Sequence, residues 1–259
     1  MSLDVVDLRS FYTSALGRRA SRYILRSVRS RWQDLNGLAV LGLGFTPPYL
    51  DTMRDDQPER ILSFMPGSQG VIAWPHDGLS ASSLVEPTDL PLRDSTIDRV
   101  LVVHALEMSD APAELLSELW RVLAPGGRLI CVVPNRRGVW TRSDTTPFGQ
   151  GQPFSRRQIT ALMRQALFTP IHWGEALYMP PFQGRLIMQI APAMEQLGSA
   201  LSLPFAGVHI IEATKQVYRP VLAKRVMRGL QALQPVPALQ PMSTLINPDK
   251  NCVLHTKFS

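Results

Sequence analysis

Few side chains in this sequence have the type and spacing to do chemistry. Gly42-Leu43-Gly44-Phe45-Thr46 closes an apolar run, and two glycines one residue apart let a backbone approach a ligand closely. His104 follows a second apolar run, 98–103, and reads either as a general base at a strand end or as a satisfied core histidine. Other chemistries drop out by spacing. His76-Asp77, His104, His172, His209 and His255 show no paired ligand spacing, so no metal site is expected. Cys131 and Cys252 are too few and too scattered for a disulfide framework or a zinc site. A dinucleotide fingerprint needs G-x-G-x-x-G and an acid or arginine for the ribose; Pro47 stands at the third glycine and the ribose position is empty of charge.

Strands must carry these residues. Leu38–Leu43 is apolar on both faces, as a buried parallel strand should be. Arg60–Met65 reads as a second strand stopped by Pro66-Gly67, Gly70–Trp74 as a third, and Asp98–Val103 as a fourth. Asp110 is placed to cap a helix opened by Ala111-Pro112, whose stripe is Leu115, Leu116, Leu119, Trp120, Val122 and Leu123. Pro125-Gly126-Gly127 ends it, and Arg128–Val133 is the fifth strand. Ser155 caps a later helix with Ile159, Leu162 and Met163 facing inward. Strands alternating with helices imply a mostly parallel sheet covered on both faces.

Composition sets the outer bounds. The chain has 259 residues, 27 basic against 21 acidic, a net charge of +6, and 45% hydrophobic residues, enough for a proper core. No apolar run reaches the ~18 residues that span a bilayer, and no secretory signal is visible at Met1-Ser2-Leu3-Asp4, so a soluble, cytoplasmic protein is expected. Seven arginines and no acid occupy residues 9–31, where Tyr12, Leu16, Tyr23, Ile24 and Val28 recur at helical spacing. This predicts one basic amphipathic helix, packed over the mouth of the ligand cleft with its tyrosines and leucine inward. Lys215, Arg219, Lys224, Arg225 and Arg228 form a second basic run. Such runs are solvated helix faces or meet a membrane surface or acidic partner; no nucleic-acid motif accompanies them.

Glu86-Pro87-Thr88-Asp89-Leu90-Pro91-Leu92, Ser95-Thr96-Ile97-Asp98, His104-Ala105-Leu106-Glu107 and Arg121-Val122-Leu123-Ala124-Pro125-Gly126-Gly127 follow one another in order. In order and spacing, residues 37–135 resemble the class I S-adenosylmethionine-dependent methyltransferases, particularly the small-molecule group (methyltransferase-11-like). A looser echo, Phe205–Lys215, resembles the family's last strand. The resemblance implies an α/β fold: a Rossmann-like, doubly wound, mostly parallel seven-stranded sheet with an antiparallel last strand. It implies S-adenosylmethionine as cofactor, lying across the strand ends Gly42–Thr46, Phe64–Met65 and Val85–Glu86. Gly42 and Gly44 match the turn that holds the methionine part, Glu86 the acid that bonds the adenine amino group, and Val85 a wall of the adenine slot. His104 falls under the sulfonium and is the one candidate base.

Two departures stand out. Gly42 replaces the acid of the first motif, and Thr46 or Pro47 its third glycine. The acid that grips the ribose hydroxyls is replaced by Phe64 or Met65, a loss on the order of 1.5–3 kcal/mol. The leading expectation is methyl transfer to a small or lipid-like acceptor. The alternative is a catalytically inactive methyltransferase-like protein, a pseudo-enzyme serving as a binding or regulatory partner. Expected divisions are a basic helical segment over 1–36, a methyltransferase-like domain over 37–215 with a substrate cover at 136–203, and a basic, proline-rich tail over 216–259.

Overall fold

The computed structural model describes residues 3–182, 184–201 and 203–217. Seven strands form one sheet in the order β3-β2-β1-β4-β5-β7-β6. They are β1 (Ala39–Gly44), β2 (Arg60–Pro66), β3 (Ser82–Val85), β4 (Ile97–Val103), β5 (Leu123–Pro134), β6 (Phe168–Ala176) and β7 (Val208–Lys215). The first five are parallel; β7 runs antiparallel to β5, and β6 antiparallel to β7. β1 lies between β2 and β4, so the winding direction reverses beside it, the place where open α/β sheets bind ligands. Every residue of β1 is buried, as its two apolar faces require.

Helices α1 (Val5–Thr13), α2 (Ala15–Arg29) and α3 (Pro47–Leu50) belong to one core, in which Val40, Leu101, Ile130, Val132, Val208 and Ile210 meet Leu8, Tyr12, Leu16, Ile24 and Val28. α4 (Pro112–Val122) and α5 (Arg156–Gln165) belong to a second, with Leu41, Leu43, Val100, Val102, Cys131 and Ile211. Alternate residues of each strand thus go to opposite faces. α6 (Arg185–Ala200) lies between β6 and β7 in the chain. No helix among the described residues is long and apolar enough to cross a membrane.

Four local expectations change. The helix over 9–31 is two helices, because Ser14 has extended backbone (ψ 162°) and caps α2 by accepting from Gly17 N–H. Tyr12 and Leu16 keep one buried stripe across that break. The third strand is Ser82–Val85 and not Gly70–Trp74; Trp74 instead accepts from Ala81 N–H and hands its indole N–H to Asp51 at 2.7 Å. Asp110 does not cap α4; Ala111 holds that position, and Ser109 Oγ accepts from Ala111 N–H. Lys215 is no part of a basic surface, being 6% exposed with Nζ 2.5 Å from Leu123 O and 4.2 Å from the Trp120 ring centroid. Residues 218–259, with the rest of that basic run and the proline-rich tail, lie outside the described residues.

The N-terminal helices are fastened to the sheet. Trp32, just past α2, donates to buried Glu212 of β7 at 3.2 Å, and Arg29 pairs with Asp56 at 2.5 Å. Each fully buried side chain such as Leu8, Ile24 or Val28 contributes about 1.5–3 kcal/mol.

Candidate active site

The glycine turn is shaped by its neighbours. Gly44 has φ +88°, and a Cβ there would sit 2.1 Å from Val103 O, so β4 approaches too closely for any side chain. Gly42 lacks the family's acid, and the space is taken from the other side: a Cβ at Gly42 would meet Thr46 Oγ1 at 2.1 Å. Thr46 is fully buried, 3.5 Å from Ser63 Oγ.

β4 delivers His104 directly beyond its last residue. The histidine has φ +56°, a left-handed conformation that costs on the order of 1–3 kcal/mol and persists only where the surroundings enforce it. They do so on both sides. The Gln69 amide donates to the His104 carbonyl, and Nδ1 lies 3.1 Å from Glu107 Oε1. With Nδ1–H donating to that carboxylate, Nε2 is the acceptor, and the Tyr12 hydroxyl stands 2.9 Å from it. Tyr49 extends the chain, its hydroxyl 3.0 Å from that of Tyr12. Histidine, glutamate and both tyrosines are buried, while Glu107 Oε2 has no partner. Burial raises both tyrosine pKa values well above their ordinary range, so they are neutral hydroxyls at any working pH. Rings close the space around: Tyr12 stacks on Phe45 at 5.2 Å, and Phe148 lies 4.7 Å from the His104 ring.

The opposite end is open. A cleft of about 260 Å³ is lined by Pro66, Gly67, Glu86, Ala105, Met108 and Glu114, from the ends of β2, β3 and β4 and the start of α4. Glu86 is exposed there and accepts from the Thr88 hydroxyl at 3.1 Å. Val85 is buried beside it. Phe64 and Met65, at the ribose-acid position, point into the two different cores and are 6% and 1% exposed.

Of the residues expected at the site, Glu86 meets the open cleft, His104 lies among the clustered rings, Thr46 packs against Gly42 and Ser63, and Phe64 and Met65 are packing residues. Spacing alone does not reveal Tyr12 as the partner of His104, nor Tyr49 as the partner of Tyr12, because they come from elements 92 and 55 residues before the histidine. Glu107 was readable, since it stands three residues after a histidine at a strand end.

A fit test for an adenosyl cofactor divides the site. The cleft at Glu86 has room and an acceptor for an adenine amino group. The Tyr12 ring stands beside the glycine turn, stacked on Phe45 at 5.2 Å with its hydroxyl on His104 Nε2. A methionine portion laid against that turn would meet the Tyr12 ring, and α1, which carries the ring, is pinned by Val5 N–H donating to Gln69 O at 2.7 Å.

A methyltransferase-domain family model matches residues 32–131. Over 66 residues the chain is 39% identical to demethylmenaquinone methyltransferase of Symbiobacterium thermophilum, a match spanning 26% of this chain and 26% of that protein. Among solved structures, a SAM-dependent methyltransferase from Thermotoga maritima superposes with TM-score 0.55 at 18% identity, over 82% of this chain and 96% of that one. The [4+2]-cyclase SpnF gives 0.55 at 24% identity, over 80% and 84%. Geranyl diphosphate C-methyltransferase from Streptomyces coelicolor A3(2), solved with S-adenosyl-L-homocysteine, gives 0.53 at 14% identity, over 74% and 78%. At these identities the structures establish the fold.

Proposed function

We propose methyl transfer to a small-molecule acceptor as the activity of this chain, which carries a domain of the class I S-adenosylmethionine-dependent methyltransferase family. The observation that carries the reading is the buried His104–Glu107 pair at the end of β4, beside the glycine turn. The fold alone would not suffice, since one neighbour is a cyclase.

The cofactor is S-adenosylmethionine, whose sulfonium supplies an already activated methyl group. The chain's own residues do the rest. Glu86 and Val85 hold the adenine end, and the Gly44 backbone lets the strand ends come close. Glu107 fixes the His104 ring with Nε2 as the accepting nitrogen, which would take a proton from an acceptor O–H or N–H once the Tyr12 hydroxyl leaves it. Tyr12 offers its hydroxyl to that nitrogen, so it occupies the position an acceptor hydroxyl would take. Phe45, Trp140 and Phe148 keep water from the base. A lipid-like acceptor is favoured by these rings over a charged one.

Titration of the full chain with S-adenosylhomocysteine tests the reading. Saturable binding, weakened about tenfold by Glu86→Ala with unchanged thermal stability, is expected. Binding indifferent to Glu86 would put the adenine elsewhere.

A further inference from the structure

A second cavity, of about 810 Å³, opens between the first turn of α5, the end of β6 and the start of β7. Four guanidinium-bearing residues line it, Arg137, Arg156, Arg157 and Arg164, against one carboxylate, Glu175. Four positive charges less one negative leave +3 around a single space. Arg156 is held over the Trp173 ring at 4.6 Å from its centroid. Arg137, Arg157 and Arg164 make no ion pair among the described residues.

One feature of this arrangement works against the folded chain unless an anion is present. Arg156 and Arg157 occupy the first two positions of α5, with no acid in that turn. The positive end of a helix dipole disfavours cations there and favours anions. His209, 4% exposed, also lines the cavity, and its Nδ1 faces Glu175 Oε1 at 3.2 Å and holds that carboxyl below its usual range, so the one carboxylate is engaged by the histidine.

We propose that this cavity binds the phosphate or diphosphate of a phosphorylated small molecule. A single carboxylate would leave most of the charge uncompensated, whereas a group carrying two or three negative charges balances it. Planar guanidinium forks match phosphate oxygens two at a time. The volume lies within the range of small-ligand sites. The segment that supplies Ser155, Arg156 and Arg157 is also tied to the active site, because Gln152 N–H donates to Glu107 O at 2.8 Å. The binding site stands whether or not the chain transfers methyl groups.

Calorimetric titration of the full chain with inorganic pyrophosphate, without cofactor, tests it. The variants are Arg157→Ala/Arg164→Ala and a control pair from the N-terminal helices, Arg9→Ala/Arg22→Ala; all four arginines are exposed, so the fold should persist, as thermal melts would verify. Saturable pyrophosphate binding, tighter than inorganic phosphate, is expected to weaken at least tenfold in the first variant and stay within twofold in the control. Equal losses in both pairs would reduce the effect to diffuse charge and overturn the proposal. So would the absence of pyrophosphate binding at millimolar concentration, including the case where vesicles of phosphatidylcholine with phosphatidylserine bind and lose binding in the first variant.

Discussion

The Tyr12 hydroxyl lies 2.9 Å from His104 Nε2, joining a helix that precedes the matched domain to the end of its fourth strand. That contact brings the N-terminal helix into the candidate site. Tyr12→Phe removes the hydroxyl while the ring stays stacked on Phe45, leaving His104 Nε2 and Tyr49 short of a partner. The expected loss is about 1–3 kcal/mol of stability, measured by urea unfolding. A variant as stable as the parent would show the network to be energetically idle.

Gly44 tolerates no side chain. Gly44→Ala forces a Cβ against Val103 O in a left-handed backbone, and about 3 kcal/mol or more of destabilisation should follow. Loss of ligand in such a variant would therefore report on β1–β4 pairing and not on contact with a cofactor, which is why Glu86 is the better probe.

Restoring the family's ribose acid should fail here. Met65→Asp buries an unpaired carboxylate in the core shared with Tyr12 and Tyr49, and Phe64→Asp does the same in the opposite core. Both should lower the melting temperature steeply and gain no cofactor affinity. A stable Met65→Asp protein with improved affinity would mean that β2 ends nearer the ligand than its packing indicates.

Acid should loosen the loop that carries Glu86. Glu118 accepts from Leu90 N–H at 2.7 Å and from Arg121 at 2.6 Å; the Arg121 bond, then Leu90, holds its carboxyl below the usual range. Arg29 does the same for Asp56. A depressed folded pKa contributes stability above the ordinary carboxylate value, lost as pH falls through the folded value. Melting temperature should thus drop on acidification below about pH 4. In Glu118→Gln that drop should be shallower, and an identical pH profile would assign acid sensitivity elsewhere.

Much of the frame is legible in the residues. β1, β4 and β5 are buried on both faces, so their apolar runs announce them, and the capping box of Ser155 and Gln158 marks α5. The break at Ser14 is hidden because Tyr12 and Leu16 keep helical spacing across it. β3 is hidden because an edge strand of Ser82-Ser83-Leu84-Val85 needs little apolar surface. The closed methionine end is invisible for another reason. It depends on Tyr12 crossing to His104, a contact set by tertiary packing and by no local pattern.

The most direct measurement is S-adenosylhomocysteine affinity in the full chain and in Tyr12→Ala. If α1 closes a competent site, the parent pays for opening through a reduced fraction of binding-competent molecules. The account predicts saturable binding in both, about tenfold tighter once the ring is removed, despite lower thermal stability in the unliganded variant. Failure of both proteins to bind at millimolar ligand, while folded, would contradict methyl transfer and leave the chain as a binding protein built on a methyltransferase fold.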